Sequence, residues 1–198
     1  MTLDPAKREK ILEAAVREFA RHGFKKASIE SIAEAAGVGK GTIYLAAETK
    51  EDLFYQAVHR EVRAWTSETG RLIDPARTAE ELLLECAAAG FAYLEERPLV
   101  KDLLFGSHNL VLQEFPDRLE QLQQIGIGNI IEILNIGVRQ GRFRAELDVQ
   151  TVAVLMQDFM LASHLLHRGP NQAALFLPRV RVALDLLLNG IRVRALGA

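Results

Sequence analysis

Residues 28–45, SIESIAEAAGVGKGTIYL, contain two short helical patterns separated by a tight turn. Ser28 is of a residue type that caps helix N-termini, and apolar side chains recur after it at helical spacing. Gly37 can take the left-handed conformation that ends a helix, and a second helix is expected over about residues 40–46. Two short helices around a glycine turn predict a helix-turn-helix, whose second helix can enter a DNA major groove.

The outward face of this second helix carries side chains suited to nucleic acid. Ile43 is the expected inward anchor, which leaves a cation, a hydroxyl, a phenol and an unobstructed glycine for phosphates and base edges. Lys50 opens the next helix, where a cation opposes the helix dipole and favours an anionic partner such as a phosphate. The predicted DNA-binding residues are Ser28, Gly39, Lys40, Gly41, Thr42, Tyr44 and Lys50. An isolated pattern of this kind also arises by chance in helical proteins.

Capping residues and prolines mark the other helices. The first is expected over about residues 5–22, and a long fourth helix follows Thr49. Thr78 and Glu81 form a capping-box sequence that opens a longer helix. Further helices are expected to start at Pro116, after Asp148 and after Pro178. No segment of any length alternates with period two, so we predict an all-α protein with a three-helix N-terminal head and a larger C-terminal helical bundle.

Composition indicates an ordinary globular chain. Its 198 residues contain 24 Lys and Arg, 26 Asp and Glu and one Cys, for a net charge of −2. One cysteine cannot form an internal disulfide, and no uncharged stretch is long enough to span a membrane, so we expect a cytoplasmic protein without a membrane partner. Residues 1–50 carry +2 and hold six of the seven lysines, whereas residues 51–198 carry −4. This asymmetry fits a DNA-binding head and equally fits chance variation among solvated helix faces.

The stretch from Ile11 to Phe54 resembles the DNA-binding region of the TetR (tetracycline repressor) family. It follows that family's pattern of Ile-Leu-x-Ala-Ala, Gly-Phe, Ser-Ile-x-x-Ile-Ala-x-x-Ala-Gly-Val, Lys-Gly-Thr-Ile-Tyr and Lys-Glu-x-Leu. The resemblance implies a dimeric, ligand-responsive transcriptional regulator, usually a repressor, acting on a palindromic double-stranded DNA operator. It implies a helix-turn-helix DNA-binding domain at 1–50 and a ligand-binding and dimerisation domain at 51–198.

Three departures from the family pattern bear on DNA affinity. Gly39 stands where a serine is common, so the capping hydroxyl is missing. Ala46 and Ala47 replace a common aromatic pair, so either neighbouring side chains fill the space or the head is looser. Glu48 adds a negative charge near the expected phosphates. These residues keep open a second function, a dimeric small-molecule or protein-interaction bundle with weakened DNA binding.

The bundle is expected to bind a small-molecule effector in a mostly apolar pocket. Gly126 and Gly128 inside a helix leave room either for a ligand or for a close helix crossing. The predicted ligand-binding residues are Phe105, His108, Asn109, Gln113, Met156, Gln157, Met160 and His164.

The last two long helices form the homodimer interface if the resemblance to the family extends through the bundle. The predicted dimerisation residues are Phe159, Ala162, Leu166, Leu184, Leu187, Leu188 and Ile191, all of which could instead belong to the core of one chain.

An enzyme is the alternative class, and the sequence gives it no support. A carboxylate-bridged metal centre in a helical bundle needs Glu-x-x-His pairs, and none of the five histidines has a glutamate three residues before it. A glycine-rich phosphate loop and a His-Glu-x-x-His helix are also missing. We therefore predict a regulator with no cofactor and no metal.

Overall fold

The computed structural model describes residues 3–97, 101, 116–166 and 172–191, without the side chains of 161, 164–166 and 172–174. Within these ranges the chain forms eight helices, which confirms the predicted all-α class. None of the described helices is long and apolar enough to cross a membrane. The helices are α1 (Pro5–Lys26), α2 (Ile29–Ala36), α3 (Lys40–Ala46), α4 (Lys50–Gly70), α5 (Ala79–Glu95), α6 (Pro116–Arg139), α7 (Val149–Leu166) and α8 (Gln172–Ile191).

The chain divides into two compact units. The first comprises residues 1–64 and 93–123, and the second comprises residues 65–92 and 124–198. Helices α4, α5 and α6 each begin in one unit and end in the other. All seven lysines of the sequence fall within the residues of the first unit. The boundary at residue 50 between the two functional domains stays a prediction.

Local hydrogen bonds explain where α1 begins and bends. The Asp4 carboxylate accepts a hydrogen bond from the Ala6 amide at 3.2 Å, and Pro5 takes the first helical position. Gly23 has φ 75° and ψ 160°, a conformation that glycine adopts without steric cost. The chain kinks there and adds one more turn as far as Lys26, so α1 ends four residues later than predicted.

Helix α2 has both of its predicted end signals. The Ser28 hydroxyl accepts from the Ser31 amide at 3.0 Å, and the Ser31 hydroxyl accepts from the Ser28 amide at 3.2 Å. Gly37 is left-handed, with φ 67° and ψ 36°, and its amide donates to the Glu34 carbonyl. The turn therefore begins where the sequence predicts, and α3 occupies the predicted range of residues 40–46.

The start of α4 differs in detail from the predicted capping box. The Thr49 hydroxyl accepts from the Asp52 amide at 3.0 Å, as expected, but the Asp52 carboxylate accepts from the Glu48 amide at 3.2 Å. The cap thus reaches one residue further back than a standard box. By contrast, Thr78 and Glu81 make the full reciprocal box at the start of α5.

Three aromatic rings join α1 to α4 inside the first unit. The Phe54 ring centroid lies 5.0 Å from that of Phe19 and 5.4 Å from that of Phe24. Phe19 and Phe54 are fully buried. Edge-to-face contacts of this kind add to the stabilisation from burial alone.

The start of α8 was predicted wrongly. The sequence places it after Pro178, whereas the helix begins at Gln172 and contains Pro178 in its interior. A proline there removes one backbone hydrogen bond and strains the preceding turn. Phe176, which is 4% exposed, stacks on Phe91 of α5 at a centroid distance of 4.2 Å. This packing inside the second unit holds the turn before the proline in helical form.

Candidate functional site

Helix α3 presents the outward face that its sequence predicts. Ile43 is fully buried, while Lys40 and Gly41 are exposed and Tyr44 is 48% exposed. Leu45, which the prediction did not include, is 51% exposed beside Tyr44. The face therefore combines a cation, a phenol and an apolar side chain around open backbone.

Nothing inside the described chain requires glycine at positions 39 or 41. A methyl group built on either residue has no neighbour within 4 Å, and neither residue has a positive φ. Gly39 precedes α3 without a side-chain cap, as its missing hydroxyl predicts. An unobstructed backbone edge at the start of α3 can admit a partner closely from outside.

Lys40 is already paired within the first unit. Its ammonium forms an ion pair with the Glu30 carboxylate of α2. The hydrogen bond and the charge of Glu30 raise the pKa of Lys40, and the hydrogen bond from Lys40 lowers the pKa of Glu30. Both groups therefore stay ionised at neutral pH, and the predicted phosphate-binding cation has an internal anionic partner.

Lys50 is held against the end of α1. Its ammonium lies 4.6 Å from the centroid of the Phe24 ring and 3.5 Å from the Lys25 carbonyl oxygen. An ammonium has three donors, so these contacts leave capacity for an added anion. Its role in binding phosphate stays a prediction.

A groove lies where the common aromatic pair is replaced by alanines. Ala46 and Ala47 are 6% and 4% exposed, and both line an open groove of about 610 Å³ together with Tyr44, Leu45, Glu48, Thr49, Asp52 and Arg118. The side chains of Ala46 and Ala47 are thus buried, but no other described side chain fills the groove beside them.

The N-terminal end of α6 is attached to α4 beside this groove. The Arg118 guanidinium lies 3.3 Å from the Asp52 carboxylate and 4.9 Å from the centroid of the Tyr55 ring. The Tyr55 hydroxyl donates to the Gln121 side-chain oxygen at 2.7 Å. These contacts join the start of the helix after α3 to a helix that continues into the second unit.

The second unit contains a small cavity of about 60 Å³. Its apolar lining includes Trp65, Leu83, Ala87, Ile130, Ile133 and Met160. Its polar groups come from α4, α5 and α6. The Asn129 side-chain amide of α6 donates at 2.7 Å to both the Thr66 carbonyl and the Thr69 hydroxyl of α4. Burial raises the pKa of the Cys86 thiol, another lining group, to about 11, which keeps it neutral. The mostly apolar walls and few polar groups resemble the lining of a small-molecule site, but the volume is well below the roughly 300–1,000 Å³ of such pockets.

The two glycines of α6 that the sequence singles out, Gly126 and Gly128, have different surroundings. A methyl group on Gly126 would lie 2.8 Å from the Gln157 side-chain oxygen, whereas one on Gly128 has no neighbour within 4 Å. Gly126 therefore makes room for the Gln157 side chain and also lines the cavity. No packing reason exists for Gly128 in the described chain.

The structure describes three of the predicted ligand-binding side chains, and each has different surroundings. Met160 lines the cavity, Gln157 packs on Gly126, and Met156 is buried in the core. Sequence reasoning missed Trp65, Thr69, Cys86 and Asn129. The amide of Asn129 within the apolar stripe of α6 was a usable signal. Phe105, His108, Asn109, Gln113 and the His164 side chain lie outside the described residues.

Most of the predicted dimerisation residues are buried in the core of the second unit or pack against it. Leu184, Leu188 and Ile191 are 1%, 3% and 8% exposed, and Phe159 and Leu187 pack against the same core. Ala162 is exposed, and the Leu166 side chain is outside the described part. Among the described side chains of α7 and α8, the large apolar ones that are exposed are Val154, Leu155, Leu175, Leu177, Val182 and Leu186.

Similarity to known proteins covers both units. The model of the family "Bacterial regulatory proteins, tetR family" matches residues 11–57. The fatty acid metabolism regulator protein of Bacillus subtilis (strain 168) is 31% identical over 150 residues, or 71% of this chain and 72% of that protein. The chain belongs to the TetR family. The HTH-type transcriptional repressor KstR2 of Mycolicibacterium smegmatis is 26% identical over 163 residues, or 77% of this TetR-family chain and 75% of that protein.

Solved structures share the fold of this TetR-family chain. The fatty acid degradation regulator FadR from Bacillus halodurans matches with a TM-score of 0.75 and 24% identity over 93% of this chain and 96% of that one. FadR from Bacillus subtilis in complex with stearoyl-CoA matches with a TM-score of 0.74 and 22% identity over 92% and 98%. As a TetR-family protein, the chain is a DNA-binding transcriptional regulator and not an enzyme, which confirms these two predictions.

Proposed function

We propose that the chain is a cytoplasmic repressor that binds a palindromic operator as a homodimer and releases it when a small, mostly apolar effector enters the cavity of the second unit. The observation that carries this proposal is that α4 supplies residues at both of its ends to the proposed sites. Its first residue is Lys50, a predicted DNA contact, and its last two turns supply Trp65, Thr66 and Thr69 to the cavity. A single helix thus contributes to both proposed sites.

The DNA contacts come from α3 and the residues around it. Lys40, Gly41, Thr42 and Tyr44 form the face that meets the major groove, and Lys50 binds a backbone phosphate. The observations in favour are the buried Ile43, the exposure of Tyr44 and the open backbone at Gly41. Side chains on one short helix can read base edges only over a few base pairs, so two copies on a two-fold operator extend the readout.

The homodimer forms through α7 and α8. Leu155, Val182 and Leu186 are 54%, 60% and 69% exposed, and Val182 and Leu186 lie one helical turn apart on the same face of α8. Large exposed apolar side chains of this kind favour an interface. In this arrangement the two α3 helices are separated by about one DNA turn, roughly 34 Å, or a multiple of it.

The effector is a molecule with a substantial apolar part and a hydrogen-bonding group that Asn129 or Thr69 can meet. The apolar lining of the cavity favours this class. Its volume of about 60 Å³ accommodates only part of a larger ligand, so a longer effector displaces flexible side chains such as Met160. The relative in complex with stearoyl-CoA makes a long acyl chain a reasonable first probe.

Effector binding changes operator affinity by favouring one arrangement of the dimer over another. An effector shifts this equilibrium only as far as its affinities for the two arrangements differ. Helix α4 transmits the change from the cavity to Lys50, and the Arg118 contacts give α6 a second connection to the start of α4. The coupling is reciprocal, so operator DNA also weakens effector binding.

The DNA test measures binding to duplex DNA from the region upstream of the gene that encodes the chain. Wild type is compared by gel shift with Thr42→Ala and Lys50→Ala at low salt. Lys10→Ala, which removes an exposed charge from α1, is the matched control. We expect both test variants to weaken binding more than the control does. Equal effects of Lys10→Ala and Lys50→Ala would contradict the proposed surface.

The effector test adds stearoyl-CoA, free stearate and a steroid separately to the wild type–DNA complex. We expect at least one of these compounds to release DNA and to raise the melting temperature of the free protein, because binding to the folded state stabilises it. Asn129→Ala reduces both effects if the cavity is the site. Release that is unchanged by Asn129→Ala would place the effector elsewhere.

A ligand-binding or protein-interaction bundle with weakened DNA binding is the second candidate. The open groove beside Ala46 and Ala47 and the negative charge of Glu48 favour it. Effector-dependent thermal stabilisation without binding to any tested DNA at low salt would support this candidate over the repressor.

A further inference from the structure

The ion pair between Lys40 and Glu30 joins the two helices of the helix-turn-helix. Glu30 is the second residue of α2 and Lys40 is the first residue of α3. Their side chains are 63% and 53% exposed, so the pair lies on the surface. The two residues are ten positions apart in the sequence, and the tight turn at Gly37 brings them together.

We propose that Glu30 competes internally with DNA for Lys40: its carboxylate binds the Lys40 ammonium in the free protein, and a phosphate that binds this ammonium either displaces the carboxylate or lies against its negative charge. Glu30 thereby lowers the DNA affinity of this regulator. The inference rests on the proposed function, because it requires that the α3 face meets DNA.

The chemistry of the three groups supports an exchange. Carboxylate and phosphate both offer anionic oxygens to an ammonium. Its three donors reach both, but the two anions repel each other when they share one cation. The pair stays ionised in the free protein, because Lys40 lowers the pKa of Glu30 and Glu30 raises the pKa of Lys40. Glu30 therefore neutralises the positive charge of Lys40 at every pH near neutrality.

The surroundings allow the exchange to occur without rearranging the fold. Gly39 and Gly41 flank Lys40 and have open space around them. Exposed ion pairs contribute little to folding stability, so the pair can open at small cost. The same weakness limits the effect on DNA binding, and we expect Glu30 to reduce affinity by a factor of about two to five.

The chain offers a matched control one helical turn away. Glu34 lies on α2 four residues after Glu30, so the two carboxylates share a face of the helix, and Glu34 is also exposed. Replacing either glutamate by glutamine removes one negative charge near the proposed DNA surface. Only Glu30 forms an ion pair with Lys40 among the described residues.

The experiment is a double-substitution cycle on the full chain. Wild type, Glu30→Gln, Lys40→Gln, the double variant and Glu34→Gln are compared by fluorescence anisotropy. The probes are labelled duplexes that tile the upstream region and a 40-base-pair random-sequence duplex, each measured between about 50 and 200 mM salt, a range over which phosphate contacts change affinity strongly. Circular dichroism and melting temperature confirm that each variant is folded.

The expected result is a specific gain for Glu30→Gln. It binds about two to five times more tightly than wild type and more tightly than Glu34→Gln, and the gain disappears in the Lys40→Gln background. Relative to Glu30→Gln, the double variant loses about 0.9 from the slope of log affinity against log salt, as expected for one lost phosphate contact.

Several outcomes would overturn the inference. If wild type binds DNA and Glu30→Gln matches Glu34→Gln, or if the gain persists without Lys40, Glu30 does not compete for that cation. Weaker binding by Glu30→Gln would show that the carboxylate orients Lys40 for DNA. These results leave the proposed function intact, whereas failure of every folded variant to bind either probe refutes both.

Discussion

Replacing Gly41 by alanine should raise the stability of the chain and lower its affinity for operator DNA. Gly41 lies in the first turn of α3, it does not need a positive φ, and an added methyl group meets no atom within 4 Å. Alanine in place of glycine in a helix stabilises by about 0.5–1 kcal/mol, because it restricts the unfolded chain. In a protein of this size that corresponds to a rise of roughly 1–4 °C in melting temperature.

The expected loss of DNA affinity follows from the open space around Gly41. If DNA approaches the backbone there, a methyl group holds it away and weakens at least one contact. A good contact to a base edge contributes about 1–3 kcal/mol, so the affinity should fall on the order of tenfold. The opposite signs of the two effects separate a functional requirement for glycine from a structural one.

Two other glycines provide controls for the assay. Gly128→Ala introduces the same methyl group into open space on α6 and should stabilise without changing DNA affinity. On Gly137 the methyl group would overlap the Phe143 ring, so Gly137→Ala should destabilise the second unit. Thermal melting and anisotropy are measured for all three variants. A Gly41→Ala variant with wild-type DNA affinity would refute the close approach at this position.

Two further predictions concern the interiors of the two units. Phe54→Ala should lower the free energy of unfolding by about 3–5 kcal/mol in chemical denaturation, because it empties the centre of the three-ring cluster, and a loss below about 1 kcal/mol would contradict the packing described here. The Cys86 thiol, whose pKa is raised to about 11, should alkylate at pH 8 roughly a hundredfold more slowly than an ordinary thiol and recover its reactivity in denaturant. Its ionisation also lowers stability as the pH rises from about 9 to 11, because the unfolded thiol loses its proton first, and Cys86→Ala should remove that dependence.

Features set by neighbouring residues were predictable from the sequence. The Ser28 cap, the left-handed Gly37 and the full capping box at Thr78 each depend on residues within a few positions of one another. The inward position of Ile43 and the outward position of Tyr44 follow from helical spacing alone. For this reason the helix-turn-helix and its outer face, except for Leu45, were predicted residue by residue.

Features set by distant residues were not predictable in the same way. The start of α8 depends on Phe176 packing against Phe91, 85 positions earlier in the sequence, and this contact outweighs the local preference against Pro178. The cavity needs side chains from several helices, so Thr69, Cys86 and Asn129 have no shared sequence pattern. The partner of Lys40 depends on the geometry of the turn, and charge counting could not select Glu30 from the other carboxylates of the head.

The location of every lysine in residues 1–64 and 93–123 affects how the protein can be attached to a surface or labelled. Reagents that acylate lysine ε-amines modify the first unit, including Lys40 and Lys50, and leave the side chains of the second unit unmodified. A biosensor chip loaded by amine coupling therefore immobilises the protein through the unit that carries the proposed DNA contacts. Such a chip is suitable for detecting effectors, whereas operator measurements need the protein free in solution or the DNA immobilised instead.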